Sequence, residues 1–163
     1  MTQAMADTAA SNAGIIKRFF PQHIDNTYRG RKLALFLFGL VVAVRIAQSV
    51  LIIVNGHSIA QSADGIPLET YPAAAAQTIV AILAISSLYR LIIALMCVVV
   101  LVRYRSAVPM MFVVLGLSYL AGQLILQFIP MVRVGTPPGV VVNLLMFGLT
   151  IVGLALSLWK RRD

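Results

Sequence analysis

The chain is predicted to be an all-α integral membrane protein, a four transmembrane helix bundle with both termini on the cytoplasmic side. Three observations carry that prediction. Hydrophobic residues make up 60% of the 163 residues and charged ones only 11%, so more apolar surface is present than a soluble core of this size buries. The apolar residues gather near 33–54, 75–101, 109–130 and 140–158, each long enough as a helix to cross a hydrocarbon core of about 30 Å. Of the thirteen Lys and Arg, ten flank these stretches on one side, and only Arg133 lies on the other. That bias is the positive-inside pattern and places a multi-pass protein in the inner membrane, N-in and C-in.

Residues 1–32 form a cytoplasmic tail. Its first part, to Gly14, is polar and built of small residues, without the apolar core of a signal peptide, and reads as a disordered tail. Ile15-Ile16-Lys17-Arg18-Phe19-Phe20 mixes bulky apolar side chains with two cations. It suits either a short interfacial helix limited by Pro21 or a basic linker without structure of its own. Arg29, Arg31 and Lys32 complete a five-cation cluster before the first span.

The first span begins after Lys32 and is expected to end at Asn55-Gly56. The loop that follows, through Pro72, holds no Lys or Arg but contains Asp64, Glu69 and the turn-prone Asp64-Gly65-Ile66-Pro67, which assigns it to the outside. The second span stops at Arg103-Tyr104-Arg105, and Pro109 suits the first turn of the third, where its missing N–H is no loss. Gly135-Thr136-Pro137-Pro138-Gly139 is a stiff turn into the fourth span. Trp159 then anchors the inner interface, ahead of a basic tail over 160–163.

Arg45 and Arg90 are the anomaly, because each falls near the middle of a span. At 1.5 Å per residue they lie roughly 18 Å and 17 Å from the cytoplasmic edges of their helices, so they share a level. Tyr119, Gln123 and Thr150 come out at roughly 14 to 20 Å and complete a polar layer. Arg45, Gln48 and Ser49 share one helix face, as do Ser86 and Arg90, while Tyr119, Gln123 and Gln127 form a ridge on the third span. Asn143 adds an amide on the fourth. Each buried arginine costs roughly 2.5 to 3.5 kcal/mol on insertion scales. All five acids, Asp7, Asp25, Asp64, Glu69 and Asp163, fall outside the spans, so no internal counter-ion is expected.

Three explanations fit two unbalanced cations. They sit in a wet crevice among neutral acceptors, they hold a ligand with anionic or carbonyl oxygens, or they meet carboxylates of a partner membrane protein. The ligand reading makes Arg45, Arg90, Gln48, Tyr119 and Gln123 the binding residues for a lipid, fatty acid or quinone. The partner reading makes the chain an accessory or assembly subunit of a larger membrane complex. Ser118 with Gly122, and Gly153 with Ser157, are small-xxx-small pairs that suit either a homo-oligomer or internal helix packing.

Catalysis is not expected. The spans lack a Ser–His pair, two aspartates, a His-Glu zinc motif and a P-loop, and arginine does not give up its proton. Cys97 is the single cysteine and His23 and His57 fall on opposite sides, so no metal is expected, and no cofactor is implied. The +8 net charge reflects juxtamembrane anchoring, and no basic stripe interleaved with aromatics points to nucleic acid.

Overall fold

The computed structural model describes residues 25–28 and 30–159, and the readings of the N-terminal tail to residue 24 and of the basic end at 160–163 fall outside them. Among the described residues the chain is helical, without strands, and has four helices long and apolar enough to cross a membrane. They are α1 (Lys32–Ser62), α2 (Ala73–Arg103), α3 (Val108–Phe128) and α4 (Pro138–Leu158). Single 3-10 turns, Leu68–Thr70 and Arg105–Ala107, sit in the first two connections. Large apolar side chains such as Ile85, Leu117 and Leu145 stand outward all round the bundle, as they do where the solvent is hydrocarbon.

The helix starts follow proline chemistry. Pro72 and Pro137 hold extended backbone just ahead of α2 and α4, and both α3 and α4 carry proline in their first turn. The end expected for α1 at Asn55-Gly56 is instead a kink. Asn55 leaves helical geometry (φ −122°, ψ 39°), and the helix then resumes to Ser62. Gly56 makes the bend compatible with packing, since a Cβ there would lie 3.0 Å from Val80 Cγ1 of α2.

The half that carries the flanking cations, referred to as the inner end and its opposite as the outer, is tightly packed. Phe38, Val41 and Val42 of α1 meet Cys97 of α2 and Val108, Met111, Phe112 and Leu115 of α3 in one buried cluster. Phe38 and Phe112 meet edge to face, centroids 5.0 Å apart. Phe112 also lies directly over Gly153 of α4, where no side chain fits. The segment before α1 closes this end. Asp25 N–H donates to Ser106 Oγ at 2.9 Å and the Ser106 hydroxyl donates back to Asp25 O at 2.9 Å. Arg31 N–H reaches Leu156 O at 3.4 Å, and the Arg31 guanidinium covers the Trp159 ring at 5.1 Å.

The opposite half is looser. α1 packs extensively on α2 and also on α4, but α2 and α4 have no substantial packing between them, which leaves a groove along α1. The outer half of α3 also stands apart, with every residue from Leu120 to Ile125 exposed. A smaller cluster of Ala60, Ile66, Leu68 and Ala76 secures the first outer loop.

Candidate functional site

The groove widens into a cavity of about 300 Å³. Its floor is one face of α1, namely Arg45, Gln48, Ser49, Ile52 and Ile59 with Leu51 beside them; Arg90 of α2 and Pro138, Gly139, Val142 and Asn143 of α4 form the sides. The face follows from helical spacing, since 45, 48, 49, 52 and 59 recur every three, four or seven residues. Ala63 and Asp64, in the turn after α1, complete the outer end.

The two mid-span arginines therefore line a single space. Arg45 is half-buried, its Nε fully buried without a hydrogen-bond acceptor, while Arg90 stands at the exposed edge. Gln48 and Asn143 bring amide groups, and Ser49 a hydroxyl, so the wall offers neutral donors and acceptors beside the cations.

Asp64 lies outside the helices, as expected, yet it reaches the cavity as a lining residue at its outer end. Counting depth along a first span that ended at Val54 put this acid outside, whereas α1 runs on past its kink and the following turn folds back over the groove. Two backbone bonds fix that turn: Val134 N–H donates to Gly65 O at 2.8 Å, and Gly139 N–H to Ala63 O at 2.9 Å. Gly65 takes a left-handed φ of +68°, and a Cβ there would also run into Pro137 Cγ at 2.6 Å. A Cβ on Gly139 would meet Ala63 O at 2.6 Å and Asp64 Oδ1 at 3.2 Å, so the carboxylate lies against the first turn of α4, whose dipole favours an anion. Burial pushes the Asp64 carboxyl above its ordinary range, and the positive charges of Arg90 and Arg133 pull it back down. Nothing in the local sequence signals this role; the charge sum of the spans is the one hint, because two cations at mid-membrane call for an acid.

The remaining polar residues stand elsewhere. Tyr119 is within electrostatic reach of Arg45 but is not part of the cavity wall, and its ring stacks on Phe147 of α4 with centroids 4.5 Å apart. Gln123 and Gln127 are exposed on the outer half of α3, away from the groove. Thr150 is buried, its hydroxyl donating to Met146 O of its own helix at 2.7 Å, and Ser86 is outside the wall. A shared depth thus groups residues that the bundle separates. No known protein family, curated protein or solved structure matches the chain.

Proposed function

We propose that this chain is a non-catalytic multi-pass membrane protein that holds a lipid-like ligand, its oxygen-bearing headgroup between Arg45 and Arg90. Lipids, fatty acids and quinones are the ligand classes. The observation that carries this reading is that two guanidiniums from different helices line one cavity in which Arg45 Nε has no acceptor. Gln48 and Asn143 orient the headgroup, and Leu51, Ile52, Ile59 and Val142 offer the apolar wall that a tail requires. The ten-to-one charge bias supports an inner-membrane location with both termini in the cytoplasm, so that the Asp64 end of the groove faces outward.

The experiment is purification of the full chain in a mild non-ionic detergent, followed by native and lipid mass analysis. A small molecule should travel with the protein and be lost from Arg90→Leu. Unchanged occupancy in that variant takes Arg90 out of the site.

A second reading, an accessory subunit of a larger membrane complex, is favoured by a different observation. Gln123 and Gln127 expose amide groups on a helix surface otherwise fit for lipid, where a hydrogen-bonding partner helix would satisfy them. A protein that co-purifies with the chain, and is lost on Gln123→Leu, distinguishes this reading from the first.

A further inference from the structure

The charge around the cavity narrows the ligand class, an inference that rests on the ligand-binding reading above. The wall carries two permanent positive charges, Arg45 and Arg90, and one carboxylate, Asp64. Gln48 and Asn143 hydrogen-bond without altering that sum. Arg133, outside the wall, also acts on that carboxylate, so the site keeps at least one uncompensated positive charge away from water, where such a charge is costly. A neutral carbonyl ligand would satisfy Arg45 Nε but leave the charge standing.

We infer that the groove takes an anionic amphiphile, its head bridging Arg45 and Arg90 and its tail running out sideways into the lipid. The sideways course follows from the shape of the walls. α2 and α4 flank α1 without closing over it, and Arg90, Leu51 and Val142 are all exposed along the opening. A cavity of about 300 Å³ is at the small end for ligand sites, enough for a headgroup and the start of a chain whose remainder stays in the bilayer. Asp64 lies toward the outer end and drives the head away from itself, to the Arg45 level. A fatty carboxylate and a phosphodiester lipid both have this chemistry.

The test uses the full chain in dodecyl maltoside and two probes of one tail length, hexadecyl sulfonate and hexadecanol, each corrected for partition into empty micelles. The sulfonate should bind at least about tenfold tighter than the alcohol, and Arg45→Gln should remove that preference, a conservative expectation for a charge pair shielded from water. Asp64→Asn, which leaves both arginines in place, should raise sulfonate affinity several-fold and leave hexadecanol unchanged. Equal affinity for the two probes, or a sulfonate affinity indifferent to Asp64→Asn in a folded variant, overturns the anion inference while the ligand-binding reading stands. Binding of neither probe overturns both. Mass analysis of the acidic lipids extracted from the purified protein then separates the two sources: a carboxylate identifies a fatty acid, a phosphodiester identifies a membrane phospholipid.

Discussion

Asp64 shows how one side chain can serve a site while costing the fold. Its carboxyl is pushed up by burial, and the nearby charges of Arg90 and Arg133 reverse only part of that rise. A folded-state value above the unfolded one means that the protonated form favours folding: the contribution is fully present below the ordinary carboxylate range and is lost as pH rises through the folded value. The groups that face it are Arg90 across the groove, Arg133 in the second outer loop and the first turn of α4. Asp64→Asn imitates the protonated state, so the variant should melt no lower than the parent at neutral pH. It should also flatten the rise in melting temperature as pH falls toward the ordinary carboxylate range. Thermal unfolding in dodecyl maltoside across that range reads both, and an unaltered pH profile would remove Asp64 as the titrating group. Residues of this kind were only half legible. Helical spacing put Arg45, Gln48 and Ser49 on one face, and the cavity uses that face. Spacing along a chain cannot tell which neighbour a face meets, so Tyr119 and Gln123 share a depth with Arg45 but not its cavity.

Among the elements, α3 has two halves with opposite surroundings. Its inner half is tied down by Val108, Met111, Phe112 and Leu115, and the Phe112 ring occupies the place where residue 153 of α4 would carry a side chain. Gly153→Ala must displace that ring, and overpacking a filled interior costs typically about 1 to 3 kcal/mol. Farther out, nothing lies within 4 Å of a Cβ on Gly122, so Gly122→Ala meets no obstacle within the chain and gains helix propensity instead. Unfolding in detergent should show a clear loss for Gly153→Ala and none for Gly122→Ala; equal behaviour would mean that the two faces of α3 are not packed as described. Should Gly122→Ala dissociate an oligomer without lowering monomer stability, its face is the one that a partner covers. The four helices themselves were evident from hydropathy, because about 20 apolar residues in a row leave the backbone no alternative in lipid. The kink in α1 was not. Asn55-Gly56 is as good a stop signal as a bend, and packing of the following turns on α2 decides for the bend.

At the scale of the molecule, the bundle is closed at one end and open at the other. The residues before α1 lash the inner end through Ser106, Leu156 and Trp159, while the outer end carries the groove, held by paired loops at Gly65 and Gly139. No hydropathy or charge pattern forecast that polarity, since it arises from contacts between segments far apart in sequence. Charge bias predicts a direction for it: with ten flanking cations on one side and Arg133 alone on the other, the closed end is expected to face the cytoplasm. The prediction is tested on a Cys97→Ala background, which removes the native thiol, with single cysteines introduced by Glu69→Cys in the first outer loop or Arg105→Cys in the inner turn. In sealed right-side-out vesicles, a membrane-impermeant maleimide should label the first and reach the second only after permeabilisation. The reverse result inverts the molecule, and with it the leaflet that supplies the groove. If labelling agrees with the charge bias, Asp64 and the groove mouth lie on the outer side. An anionic amphiphile would then exchange with the outer leaflet, because the packed core around Phe38 and Phe112 bars the way from the other.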